Sequence, residues 1–521
     1  MEKHLLRKTT SVALSTLASR ILGYIRDRVL AGMFGTGPHV DAFVVAFTIP
    51  NFFRRFVAEG SLTVSFVPVF TEYLELKGKN QALILAYKTL SLLIVTVLCL
   101  TGAGIFFSPQ IVSIFGRGFT DQSIIDLTIL MTRMMFPYLF LICMVAFCMG
   151  FLNSLGHFFA PAISPVFLNV GIICAAIFLS PFFAEPMIAI SVGVLAGGVC
   201  QLIIQIPYMI RYGFKMKFAI DLRESGVKKI LRMMGAALPG GAAVQSNVLI
   251  NRMLASMLPA GSISYLYFCD RLTEMVIGIF VVSIGSVLLP EMSRITASND
   301  MDSLKKMIRS GILSSLYFAV PAAFALFSAG RLIVLVLFEG GKFDAISTEK
   351  TYMALTFASF GIIFIAMNKI LTQAFYSLKN TKVPVITSFV ALAVNGSSGY
   401  FLMQTPLKHA GLALSSNLAI AAQVSLMFII LRVLIGKINF SSYILPMVKL
   451  LAASLLMGGF LSAAVHLSQG YVLSYWHKLI LLGVLICAGG FIFFVSTLLF
   501  RVKESIALVK LVANRLKIAK A

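Results

Sequence analysis

Charge is scarce in this sequence: 12% of the 521 residues are Asp, Glu, Lys or Arg, against about 25% in a soluble domain. That scarcity argues against an ordinary water-soluble fold. Acids are rarer still, 20 against 43 Lys and Arg, leaving a net charge of +23. Such a surplus suits either nucleic acid or a membrane protein whose basic residues face one side, and position decides between them. The cations gather in short connections and at the ends of apolar runs, as in 3–8, 211–232, 305–309 and 501–520. No polar domain is left over to hold a duplex, so a nucleic-acid partner is not expected. The cysteines at 99, 143, 148, 174, 200, 269 and 487 lie inside apolar runs without CxxC or Cys/His spacing, which implies neither disulfides nor a zinc site. Six histidines are scattered, no Walker motif occurs, and the connections are too short for a catalytic domain. A membrane glycosyltransferase or phosphatase would need positioned acids, bases or a metal. The chain is therefore not expected to be an enzyme, and no metal and no cofactor is assigned. The basic start MEKHLLRKTT is not expected to open a removable signal peptide, because the segment behind it carries Arg20, Arg26, Asp27 and Arg28 without a small-residue cleavage site.

What is present is apolar sequence, 59% of the chain. Crossing a hydrocarbon core of about 30 Å takes roughly 20 helical residues, and runs of that size recur at 10–34, 40–62, 82–107, 125–153, 161–183, 187–210, 233–258, 262–290, 311–338, 350–378, 383–404, 410–435, 444–468 and 478–500. These predict an all-α membrane protein of fourteen transmembrane helices. With the N-terminus in the cytoplasm, the basic connections after the even-numbered helices and the basic C-terminal tail all fall inside, while the outer connections LPAGS and FFAEP carry little positive charge. Segment 27–37 (DRVLAGMFGTG) matches segment 251–261 (NRMLASMLPAG) at Arg28/Arg252, Leu30/Leu254, Ala31/Ala255, Met33/Met257 and Gly37/Gly261. The same register sets Phe151 on Phe375, and in both copies a short loop then runs into a proline that opens the next helix. Two six-helix lobes related by a parallel repeat follow, 1–220 and 221–437, with a C-terminal helix pair and basic tail at 438–521. Parallel repeats around a central cavity are a transporter plan, with substrate near the bilayer midplane.

A charge at the centre of a membrane helix costs about 2.5–3.5 kcal/mol on insertion scales, which makes such residues functional candidates. Arg20 lies roughly 15 Å from the cytoplasmic end of the first helix, with Arg26 and Asp27 beyond it. On a straight helix Arg20 and Asp27 share a face and Arg26 is turned about 120° away, so both arginines meet one cavity if the helix bends or unwinds, with Gly23 as the candidate point. In the second helix Asp41 stands near the outer surface, and Arg54 and Arg55 lie about 20 Å deeper, past a kink expected at Pro50. Arg55 is four residues before Glu59 and suits a structural pair with it. Arg271 lies about 14 Å from the outer end of the eighth helix. Asp270 and Glu274 stand beside it, and an ion pair, a proton-sensitive switch and ligand contact are all open for these acids. Lys88, Arg133, Asn169, Arg252, Arg331 and Lys369 read better as interhelical bonding or snorkelling groups. Several arginines around a cavity suit phosphate or diphosphate, because the guanidinium stays protonated and offers a planar fork of donors.

On SRILGYIRD (19–27), DAFVVAFTIPNFFRRFVAEGSLTVSFVPVF (41–70), YFCDRLTEM (267–275) and FYSLKNTKVPV (375–385), the chain resembles the MurJ (MviN) family of lipid II flippases, within the multidrug, oligosaccharidyl-lipid and polysaccharide exporter superfamily. The resemblance covers essentially the whole chain. It implies transport of lipid II, the polyprenyl diphosphate-linked disaccharide peptide, across the inner membrane by alternation of the two lobes. It further implies a groove on the last two helices for the polyprenyl tail, and membrane lipids and other cell-wall synthesis proteins as partners. Carried over residue by residue, it makes Arg20, Arg26, Arg54 and Arg271 cavity arginines for the substrate head. Asp41, Glu59, Asp270 and Glu274 fall on matching acidic positions, with gating or ion-pair roles. The rivals are a flippase for another polyprenyl-diphosphate-linked oligosaccharide and a cation-coupled drug exporter. An arginine-lined cavity disfavours the drug exporter.

Overall fold

The computed structural model describes residues 2–54, 62–278, 282–436, 441–468 and 474–518. Among them the chain is helical throughout, its extended pairing limited to an isolated bridge between Gly340 and Phe343. Backbone contacts divide it into two compact units. The first, Met1–Ser264 with Gly340–Phe343, contains α1 (Glu2–Phe34), α2 (Pro38–Phe53), α3 (Thr63–Leu76), α4 (Gly78–Phe106), α5 (Ser108–Phe115), α6 (Gln122–Ser154), α7 (Phe159–Cys174), α8 (Pro186–Ile203), α9 (Ile206–Arg211) and α10 (Ser225–Ser256). The second, Tyr265–Glu339 with Asp344–Ala521, contains most of α11 (Ser262–Val276), then α12 (Val282–Ala297), α13 (Met301–Phe338), α14 (Ala345–Ser377), α15 (Lys382–Leu402), α16 (His409–Ile435), α17 (Ser441–Ser468), α18 (Tyr475–Leu499) and α19 (Lys503–Ile518).

Among the described residues, ten helices are long and apolar enough to cross a membrane, and the protein is a multi-pass membrane protein. The predicted spans 10–34 and 233–258 fall on long helices, α1 and α10, that are not among these ten and that carry Arg20, Arg26 and Arg252, while 40–62 and 262–290 include residues outside the described ones. Charged helices of this kind need protein or a watered cavity beside them rather than lipid. Within 40–62 the described residues form α2, and within 262–290 they form α11 and the start of α12. The tail after the last span, expected only to be basic, forms α19.

Unit 1 is built on α6, a helix buried along most of its apolar stretch. A cluster of tilted rings joins it to α3 and to the segment after α9: Phe66 lies 5.0 Å from Phe147, Phe70 lies 5.3 Å from Phe151, and Phe151 lies 5.2 Å from Phe214, centroid to centroid. Such contacts add packing beyond simple burial. At the surface end of this unit Lys88 of α4 reaches the linker before α10, donating to Asp221 at 2.9 Å and to Glu224. The hydrogen bond from Lys88 holds the Asp221 carboxyl below the usual carboxylate range. In unit 2, α14 and α16 approach where the Asn417 amide donates to the Phe357 carbonyl at 2.6 Å. Buried Ser415 donates to Asn395 at 2.9 Å, and Gln423 donates to Ser388 at 3.1 Å, tying α15 to α16. With no hydrophobic drive between helices in lipid, such polar bonds hold the packing together.

Candidate substrate-binding and gating site

The internal repeat has a structural counterpart. Its two copies end on Gly37 and Gly261, with φ of 146° and 93°, and each glycine leads directly into a helix, α2 and α11. Backbone at such φ strongly favours glycine. The two corners then recognise each other. Asp41, one turn into α2 and 2% exposed, accepts from the Gly261 N–H at 2.6 Å and the Ser264 N–H at 2.7 Å, and from the Ser264 hydroxyl. In return the Gly37 N–H donates to Ser264 Oγ at 3.4 Å. Asp41 thus caps α11 from another helix: its carboxylate satisfies amides that lack intrahelical partners and sits at the positive end of the helix dipole. Arg252, itself buried, donates to the Ile263 carbonyl at 3.3 Å and sets a cation near the same carboxylate.

Two further contacts extend this seam within unit 1. The Lys342 N–H donates to the Gly32 carbonyl at 2.8 Å, and a Cβ on Gly341, whose φ is +58°, would stand 2.1 Å from that same oxygen. The Gly118 N–H donates to Ser256 Oγ at 3.2 Å. The C-terminal end of α1, the start of α2 and the α5–α6 connection are thereby joined to the α10–α11 corner and the 340–343 loop. Asp41 was expected as a gating or pairing acid and Gly261 as the repeat partner of Gly37, but Ser264 and the 340–343 loop were not singled out by sequence reasoning. Their signal was weak: small residues in short loops, whose meaning comes from what approaches them.

The arginines divide by surroundings. α1 runs without interruption through Gly23, so the helix does not unwind there. Arg20 is exposed on it. Arg26 is nearly buried, its side chain 11% exposed, and it donates through Nε and Nη2 to Asp27 Oδ1 at 2.9 and 2.7 Å and through Nη1 to Asn169 Oδ1 at 3.0 Å. The Asn169 amide in turn donates to the Ser19 carbonyl at 3.1 Å, so this network ties α7 to α1. Arg54 closes α2, its Nε donating to Asn51 Oδ1 at 2.7 Å. Glu59, and Arg55 beside it in the sequence argument, lie outside the described residues. In unit 2, Arg271 donates to Glu274 at 2.9 Å and its guanidinium carbon lies 4.7 Å from the centre of the Tyr267 ring. All three are on one face of α11, at the spacing where helix side chains meet. Asp270 is half-buried on the same helix, and its backbone carbonyl accepts from the Thr273 hydroxyl at 3.0 Å. A guanidinium is a planar fork of donors suited to anionic oxygens, and that of Arg26 is directed at Asp27 and Asn169. Among the described residues no cluster of three or more His, Cys, Asp and Glu is placed to hold a metal ion.

The family profile described as Lipid II flippase MurJ matches residues 30–483. The chain belongs to the MurJ family. Asp41, Arg54, Asp270, Arg271 and Glu274 fall inside the matched span, and Arg20 and Arg26 precede it. Among MurJ relatives, the probable lipid II flippase MurJ of Buchnera aphidicola subsp. Acyrthosiphon pisum is 35% identical over 422 residues, covering 80% of this chain and 81% of its own. The Burkholderia cenocepacia protein named lipid II flippase MurJ is 32% identical over 434 residues, covering 82% and 84%. A solved MurJ structure, in an inward closed conformation, superposes with a TM-score of 0.78 at 23% identity, covering 94% of this chain and 98% of that one. An inward-facing multidrug resistance MATE family transporter of the MOP superfamily superposes with a TM-score of 0.67 at 13% identity, covering 80% and 94%. The MurJ and MATE chains thus share one fold.

Proposed function

We propose that this protein moves lipid II from the inner to the outer leaflet of the bacterial cytoplasmic membrane by alternating access, without chemical conversion of its cargo. The observation that carries the reading is family membership over residues 30–483, with relatives named as lipid II flippases. Arg20, Arg26, Arg54 and Arg271 bind the diphosphate head, and Asp41, Glu59, Asp270 and Glu274 serve gating or pairing. The lobes are 1–220 and 221–437, with 438–521 appended for the polyprenyl tail, and both termini are cytoplasmic because the basic connections then lie inside. Arginine suits the head for a chemical reason: its charge survives burial, and its paired donors match two phosphate oxygens at once. The Asp41 seam is the outer closure, formed while the cavity faces the cytoplasm and broken to release the head outside.

The test is complementation of a strain depleted of its essential lipid II flippase, with outward-facing lipid II measured directly. The parent chain is expected to restore both growth and outer-leaflet lipid II. Arg20→Ala, Arg54→Ala and Arg271→Ala, at matched membrane levels, are expected to restore neither. A parent chain that inserts and does not rescue would move the assignment to another polyprenyl-diphosphate-linked cargo.

A further inference from the structure

Two basic runs far apart in the chain, 305–309 and the stretch from Arg501 onward, come together in unit 2 at one end of α13, α17 and α18. They line a cavity of about 760 Å³, a volume typical of sites for small ligands. Its lining carries Lys306, Arg309, Lys449, Arg501 and Lys503, against one carboxylate, Glu504. Lys449, Arg501 and Lys503 form no ion pair among the described residues. A cluster of like charges left unneutralised by the protein is suited to an anion from outside it.

The turn between α18 and α19 is shaped for this cluster. Arg501 takes a left-handed conformation, φ 54°, unusual for a residue with a side chain. It is closed by the Arg501 N–H to the Leu498 carbonyl at 3.0 Å and the Val502 N–H to the Thr497 carbonyl at 2.9 Å. The chain thereby turns at the end of the apolar span 475–499, and α19 contributes Ala507 and Leu508 to the cavity wall. The remaining wall is mostly apolar, with Leu313, Tyr317, Phe318 and Leu445 beside Ser310 and Ser314. α17 begins its span at Tyr443 and α18 ends its own at Leu499, so the cations stand where two membrane helices reach the surface and the apolar wall leads toward the hydrocarbon.

We infer that this cavity binds the phosphate headgroup of an anionic phospholipid, with the upper part of an acyl chain along the apolar wall. The cations select the headgroup charge, and the apolar wall selects a lipid over a soluble phosphate. The cations are separate from the arginines assigned to the diphosphate head of lipid II, although Lys449, Arg501 and Lys503 lie in the segment 438–521 given to its tail, and the inference requires only that the helices cross a membrane. Its test reads binding rather than transport, so a failure here would leave the transport reading standing.

The purified full chain, stripped of lipid, is offered equal phosphatidylglycerol and phosphatidylcholine of matched acyl chains, and bound lipid is read by native mass spectrometry. The parent is expected to retain phosphatidylglycerol in clear preference. Combining Lys449→Gln, Arg501→Gln and Lys503→Gln is expected to lower that binding by about fivefold per cation, roughly 100-fold together. The charge-keeping pair Lys449→Arg and Arg501→Lys is expected to retain it, which separates lost charge from lost folding. A control that removes equal charge elsewhere, Lys215→Gln with Lys217→Gln and Lys228→Gln, is expected to bind as the parent does. Equal retention of both lipids, or an equal loss in the control, would overturn the site. Displacement of the bound lipid by millimolar inorganic phosphate would assign the cluster to a soluble anion instead.

Discussion

Replacing Asp41 by Asn is the sharpest probe of the seam. The side chain keeps its shape, loses its charge, and exchanges one acceptor oxygen for an NH2 group. Of the three donors that Asp41 satisfies, Gly261 N–H, Ser264 N–H and Ser264 Oγ–H, at least one must then face another donor. A hydrogen bond to a charged group contributes about 1.5–3 kcal/mol net. Losing one therefore shifts the closed–open equilibrium of the corner roughly 10- to 150-fold. The amides of Gly261 and Ser264 report this directly, because Asp41 is what protects them. In hydrogen exchange on protein held in a lipid bilayer, peptides covering 259–266 are expected to exchange faster by that factor in Asp41→Asn, while α6 keeps the parent rate. Unchanged exchange at Gly261 and Ser264 in a folded variant would refute the capping argument, and with it the assignment of Asp41 to the outer closure.

Arg26→Ala leaves the buried Asp27 without its main partner and is expected to lower stability by about 3 kcal/mol, the usual loss when one member of a buried pair is removed, read as a drop in the temperature of unfolding in detergent. Arg20→Ala, at an exposed position, is expected to change stability by less than about 0.5 kcal/mol and still abolish outward lipid II, so the two arginines separate in a combined stability and transport measurement. Gly341→Ala places a methyl group against the Gly32 carbonyl and forces a left-handed backbone on a residue with a side chain, costing about 1–2 kcal/mol before any clash; faster exchange of the Lys342 amide is the readout. The Lys88–Asp221 contact is expected to be fully present above the ordinary carboxylate range, near pH 4, and to be lost as pH falls through the lower value of the folded state, because the folded form holds the ionised carboxyl. Exchange in 219–226 followed across pH checks this, and Asp221→Asn should remove the pH step attributable to that group.

Some of the site was legible because its signal is local. Arg20, Arg26, Arg54 and Arg271 stand out because a charge within an apolar helix is costly wherever the helix packs. Asn169, Lys88 and Arg252 could be assigned to interhelical bonding in kind, but not in partner. Arg26 shows the limit: its place on α1 predicted a face, whereas its engagement with Asn169 depends on α7 lying against α1. The pairing of Asp41 with Gly261 and Ser264 joins residues more than two hundred positions apart, and no periodicity along the chain carries that information.

Composition and hydropathy are enough to set the solvent and the secondary structure. Hydropathy excludes water from most of the chain, and in lipid a backbone that must satisfy its own hydrogen bonds becomes helix. The sequence also marks which helices could not simply face lipid, since buried charge has the same cost in any arrangement, and it carries the repeat that places a glycine corner before both α2 and α11. Tertiary structure alone decided how those corners meet, that Asp41 caps a helix it does not belong to, and that the basic runs near 305 and 501 share one cavity. Hydrogen bonds and cavities depend on distances of a few ångströms between separate helices, and those distances are set by packing across the bundle rather than by order along the chain.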